Sequence, residues 1–253
     1  MMINGPFTKI KGLSDIRRLP RIGKIRLGEK VISEGGKTHP KEVPFFVCPA
    51  EVKKIYGEKP TELDILFPVN DPAIIFPQRL EWWGAGGLKC LGDGVRARRS
   101  NGADQREERS CPCETLGKGC GPRGHLIFVL PKVSIAGCYQ IDIGSRNSII
   151  DLNSGFDYLT GLIGRFSGIP LKLKRVLRET HGSGRKETHY PLQIFFEGDL
   201  QVIESFRRGG QLLLPHQSRE EKPSSSLMGD DQDFPSFEEE LEAVKARGMI
   251  PEK

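Results

Sequence analysis

The stretch HLIFVLPKVSIAGCYQIDIGSRNSIIDLNSGFDYLTGLIG, residues 125–164, holds two strand patterns and a helix pattern in direct succession. HLIFVLPKV is an apolar strand closing at Pro131, and GCYQIDIGS alternates in character, as a sheet with two unlike faces requires. The period then changes. Ile149, Leu152, Phe156, Leu159 and Ile163 recur every three or four positions, the single apolar stripe of an amphipathic helix. Ser148 and Asp151 have the spacing of a cap pair, and Gly164 supplies a stop. Gly155 and Gly161 weaken the helix and point to close packing on a sheet. Short connections favour antiparallel neighbours, so the strands 125–133 and 138–145 predict a hairpin with the 148–164 helix laid across one face.

Outward from this stretch the same reading continues. IPLKLKRVLRET and KETHYPLQIFFEG form a second hairpin over 169–197, with HGSGRK as its loop. Leu171 and Leu173 alternate there with Lys172 and Lys174, which places the lysines on the exposed face. Upstream, GKIRLGEKV and VPFFVCPAEV read as strands around the turn SEGGKTHPK. Pro68, Pro72 and Pro77 cut the segment 62–84 into short elements. Of the adjacent Trp82 and Trp83, core packing is the simpler reading and a stacking platform for bases the sharper one. The fold class expected is α+β: a mainly antiparallel sheet, one packed amphipathic helix, an inserted four-cysteine loop module and a disordered acidic tail.

Four of the six cysteines, Cys90, Cys111, Cys113 and Cys120, share one window as C-x20-C-x-C-x6-C. VRARRSNGADQREERS and CPCETLGKGCGPRG around them are polar or rich in Gly and Pro, and read as loop. Cys48 and Cys138 lie singly in apolar runs, as buried free thiols do. Four soft ligands on freely shaped loops suit tetrahedral zinc, although the spacing is not that of a zinc ribbon. Disulfides and unpaired thiols are the other readings. The Met-Met-Ile-Asn start carries no apolar leader, so a reducing cytosol is expected and disulfides are the poorer explanation. A site of four cysteines leaves no open coordination position, so its zinc would be structural.

The formal charge of +5 conceals an asymmetry. Residues 217–253 hold ten acids against five bases, which leaves 33 bases against 23 acids in residues 1–216. A basic body with an acidic tail suits work near nucleic acid, or on a protein that binds it. No apolar run reaches the roughly 20 residues of a membrane helix. The organisation expected is an α+β domain over 1–216, irregular to position 21, with the cysteine module inserted at about 88–124. Beyond it lies a flexible tail, 217–253. Within the tail, Ser236 and Glu239 form a capping box, and Phe237, Leu241 and Val244 a stripe, for a short helix over 236–247. That helix either docks into a groove or packs back on its own domain.

The run from WWGAGGLKCLGDG (82–94) through CPCETLGKGC (111–120), HLIFVLPKVSIAGCYQIDIGSRNSIIDLNS (125–154) and GRFSGIPLKLKRV (164–176) resembles the large recombination directionality factors of temperate phages. The resemblance covers roughly residues 10–200. It implies an accessory protein of the host cytosol that binds a DNA-bound large serine integrase and switches it from integration to excision. It implies no catalytic residue, and it places the family's cysteine positions at Cys90, Cys111, Cys113 and Cys120. The mechanism implied is a population shift between integrase arrangements, driven by differential binding.

Two other readings compete. An enzyme needs a constellation, yet His39, His125, His181, His189 and His216 are scattered, and no HExxH, GxSxG, P-loop or GxGxxG motif occurs. His181 and His189 flank the expected hairpin loop and could approach each other. Asp142, Asp151 and Asp157 are near in sequence, but Asp151 reads as a cap and Asp157 as helix surface. A metal-dependent hydrolase is the weakest reading, and a non-enzyme is expected. The third reading is a zinc-containing DNA-binding protein of a mobile element. Arg17, Arg18, Arg21, Lys24 and Arg26 form one basic run, Arg96, Arg98 and Arg99 another, and Lys172, Lys174, Arg175 and Arg178 a third. Such charges suffice for nonspecific phosphate contact, and no recognition helix is visible.

Overall fold

In the computed structural model, two adjacent strands place Leu126, Phe128 and Leu130 opposite Ile141, Tyr139 and Ser134, and all but the serine are buried. The intervening Gln140, Asp142 and His125 project to the other face, because successive strand residues alternate sides. The structure describes residues 18–32, 36, 38–101, 106–182 and 185–208, all within the unit Arg17–Pro215. The start to position 17, the acidic tail and the helix expected over 236–247 lie outside the described residues.

In chain order the elements are β1 (Arg21–Ile32), β2 (Thr38–Val47), α1 (Ala50–Tyr56), β3 (Glu62–Ile65), α2 (Pro72–Ile75) and β4 (Gln78–Gly84). They continue with β5 (Gly87–Gly92), β6 (Arg96–Ser100), β7 (Arg106–Ser110), β8 (Cys120–Leu130), β9 (Ser134–Ile143) and α3 (Arg146–Ile163). The last are β10 (Leu171–Arg175), β11 (Arg178–Gly182), β12 (Arg185–His189), β13 (Leu192–Phe195) and α4 (Leu200–Arg208). The main sheet has eight strands in the order β2-β1-β9-β8-β4-β5-β6-β7. All its neighbours are antiparallel except β1 and β9. A second sheet runs β13-β10-β3, and β11 pairs with β12 alone. The fold is thus mixed α+β and mostly antiparallel, with few helices.

One face of the main sheet carries the core. Phe67, Phe156 and Phe166 meet there at ring-centroid distances of 4.9 to 5.8 Å. α3 buries Leu152, Phe156, Leu159 and Ile163 into this cluster and ends at Gly164, whose φ of 87° suits a residue without Cβ. Its start differs from expectation. The cap is Ser145, which accepts from the Ser148 backbone N–H, since Ser145 has the extended backbone a cap needs. Ser148 is buried and its hydroxyl accepts from the Leu192 backbone N–H at 3.2 Å, tying the helix to β13. Asp151 accepts instead from Arg178 and Gln193. α4, absent from the sequence reading, docks on α3 through buried Ile203 and an Arg207 bond to the Leu162 carbonyl. Among the described residues no helix is long and apolar enough to cross a membrane.

Three expectations change. The 88–124 segment is no inserted loop: Arg96–Ser100 and Arg106–Ser110 pair as a hairpin that extends the main sheet. β7 is an exposed edge strand and β6 buries only Ala97, so neither needs apolar alternation, which is why this polar run reads as loop. β8 begins at Cys120 and runs through Gly121 and Pro122 to Leu130. The strand expected to run through VPFFVCPAEV stops at Val47, and Ala50–Tyr56 turns helical.

Candidate functional site

Strand register gathers the cysteine region from five strands. Cys120 on β8 pairs with Trp82 on β4, Trp82 with Cys90 on β5, Cys90 with Arg99 on β6, and Arg99 with Glu107 on β7. Directly paired residues project to one face, so these five form a single row across the end of the core-facing side. Arg99 is its hub. Its guanidinium lies 5.0 Å from the Trp82 ring, 3.2 Å from Cys113 Sγ and 3.1 Å from Thr115 Oγ1. The turn carrying Cys111 and Cys113 closes over β5, anchored by the Cys111 N–H on the Val95 carbonyl. A Cβ at position 92 would lie 2.7 Å from Cys111 Sγ, so that approach requires Gly92.

The thiols differ in environment. Hydrogen bonds from the Thr115 side chain and backbone hold the Cys113 thiol below its usual range, helped by the Arg99 charge. Burial pushes Cys120 up, reinforced by its neighbours Cys90, Cys111 and Cys113. Burial alone pushes Cys138 up, and burial first of all takes Cys48 to about 12. All six cysteines are unpaired thiols. Cys90 and Cys120 are buried strand residues, so the quartet as a whole is not loop-borne as expected. As a donor set the quartet fits zinc: four soft atoms in one neighbourhood. Their geometry is looser, because among the described residues no three His, Cys, Asp or Glu side chains are grouped so as to hold a metal ion. Cys113 Sγ is occupied by Arg99 and Thr115.

A second cluster escaped the sequence reading. On the sheet face opposite the core, His125 Nδ1 lies 2.8 Å from Asp142 Oδ1, and Nε2 lies 3.3 Å from Glu81 Oε1. Glu81 is 5% exposed and accepts the Trp83 indole N–H at 2.7 Å. Lys24 and Gln140 bond Asp142, and Arg21 reaches Gln140. Hydrogen bonds to Asp142 and Glu81 raise His125 to about 9, so the imidazole is charged at neutral pH. Burial disfavours both carboxylates, yet His125 and the other donors outweigh it and hold each below its ordinary range. A charged imidazole between saturated carboxylates has no lone pair to offer as a base. The strand pairing His125↔Asp142 is the signal that would have exposed the cluster, and it requires the register.

The remaining candidates separate. His181 pairs with Lys186 and His189 with Arg178, three positions apart on the β11–β12 ladder. The third basic run is consumed internally. Lys172 pairs with Glu62 and Asp64, Lys174 with Glu62 and Glu197, and Arg178 with Asp151. The Arg175 side chain is 1% exposed and bonds Glu42 and the carbonyls of Val43 and Leu27.

Residues 22–197 match the model of the Gp3-like family, described as recombination directionality factor-like. No curated protein and no solved structure matches the chain.

Proposed function

This chain belongs to the Gp3-like, recombination directionality factor-like family, and from that premise we propose that it is a phage or prophage accessory protein of the host cytosol. It binds a large serine integrase on DNA and favours the subunit arrangement that permits excision, making and breaking no covalent bond itself. The observation that carries this reading is the family match over residues 22–197. The saturated Glu81–His125–Asp142 network supports it, since His125, held between two carboxylates, is a bound cation, not a base. An accessory protein of this kind acts through differential affinity for two integrase states.

The contact surface we assign is the β6–β7 hairpin. All five residues of β7 are exposed, and Arg106 and Arg109 present charge on a support braced by the sheet. The 169–197 hairpin is a weaker candidate, because its cations are committed to internal pairs. The reading includes one structural zinc held by Cys90, Cys111, Cys113 and Cys120, supported by their convergence around Arg99. Retention of the chain on integrase-bound attachment sites tests the contact. Arg106→Glu with Arg109→Glu should weaken capture while the melting temperature stays near the parent's, as exposed substitutions cost within about 0.5 kcal/mol. Undiminished capture by the double variant would remove the hairpin as the contact.

A further inference from the structure

Arg99 stands among the cysteines with its guanidinium fixed from several sides. It is directly paired with Cys90 of β5, whose side chain is also its hydrogen-bond partner. Its Nη2 donates to Cys113 Sγ at 3.2 Å and to Thr115 Oγ1 at 3.1 Å. The Trp82 ring, 5.0 Å away, backs the guanidinium plane. The side chain is 14% exposed, so these contacts are largely shielded from water. Its ion pair with Glu114, at 3.8 Å, reaches a carboxylate that is 76% exposed, and a pair of that kind holds little. One donor is left over. Nε is buried and has no hydrogen-bond partner. Buried donors are normally satisfied, so this one calls for an acceptor.

The chemistry of the quartet supplies that acceptor. Neutral thiols accept hydrogen bonds weakly, and thiolates accept them strongly. Zinc held by four cysteines binds them as thiolates, and four such ligands outweigh the charge of the ion, leaving the site negative. Cys90 and Cys120 are buried, so this charge would sit where water screens it poorly. A guanidinium meets both needs, with a permanent positive charge and several N–H donors in one rigid plane. A lysine would meet only the first, because an ammonium has no plane to lay on Trp82. The inference rests on the reading of the quartet as a zinc site. We propose that Arg99 is the charge-compensating residue of that site: by donating to Cys90 and Cys113 it sets how tightly the metal is kept.

The test uses the full chain loaded with zinc, and a chromophoric chelator as competitor. Arg99→Gln should surrender zinc to the chelator about tenfold to a hundredfold more readily than the parent. Arg99→Lys should fall between the two, since the charge returns without the planar fork. Lys89→Gln removes an exposed charge 5.5 Å from the same Trp82 ring and should keep zinc nearly as well as the parent. With Co2+ in place of zinc, the sulfur-to-metal charge-transfer band should shift in Arg99→Gln and stay put in Lys89→Gln, because only the first loses hydrogen bonds to sulfur. If Arg99→Gln does not fold, Arg99→Lys against the parent carries the comparison. A parent that binds zinc, with an Arg99→Gln that keeps it equally well, overturns the proposal and leaves the zinc site standing. Equal loss in Arg99→Gln and Lys89→Gln, or an unshifted band, overturns it in the same way. A parent that takes up neither zinc nor cobalt overturns the zinc reading and the proposal together.

Discussion

His125 illustrates how one residue's chemistry follows from its neighbours. Its folded pKa of about 9 lies above the ordinary 6.5. Its stabilisation is therefore fully present below about pH 6.5 and lost as pH rises through about 9. The carboxylates of Glu81 and Asp142 run the other way: both are lowered, so their contribution is present above about pH 4 and lost as pH falls through their folded values. His125→Gln keeps a donor and removes the charge. It should destabilise the chain at pH 6 to 7 by about 1–3 kcal/mol, and the deficit should shrink above about pH 9. Denaturant unfolding across pH measures this, and a deficit independent of pH would contradict it. Such residues are the least legible in a sequence. The α3 stripe and its stop at Gly164 can be counted along the chain. The choice of Ser145 over Ser148 as cap depends on which serine is extended and which is taken by β13.

At the scale of elements, period and punctuation carried the strands whose two faces differ. β8, β9, β10 and β13 alternate between core and surface, so they could be read directly. β6 and β7 could not, since β6 buries only Ala97 and β7, the exposed edge, tolerates charge on both sides, where it guards against unwanted pairing. The hairpin changes what the cysteine cluster is: two buried strand thiols and two on a turn, braced by Arg99 on Trp82. Zinc there would join β5, β8 and the turn between β7 and β8. Purified protein should carry about one zinc, lost when Cys111→Ser and Cys113→Ser are combined and retained in Cys48→Ser with Cys138→Ser. Loss of the metal should loosen this corner first, raising hydrogen exchange in β5 to β7 while β9 and α3 stay protected. Metal-free protein with full protection of the corner would contradict the zinc assignment.

For the whole molecule, the antiparallel α+β architecture was within reach of local patterns, but the parallel contact of β1 with β9 was not. It joins strands more than a hundred residues apart, and nothing in either strand marks the partner. Charge has the same property. The basic run in β10 and β11 looks like a binding surface along the chain and is folded into ion pairs. Family membership gives this architecture its setting in recombination. Directional control is the central claim, and recombination in vitro tests it most directly, with the cognate integrase and product-type attachment sites. Adding the chain should permit excision between those sites and suppress integration between substrate sites, without consuming a cofactor. Unchanged excision and unchanged integration at saturating protein would contradict the account.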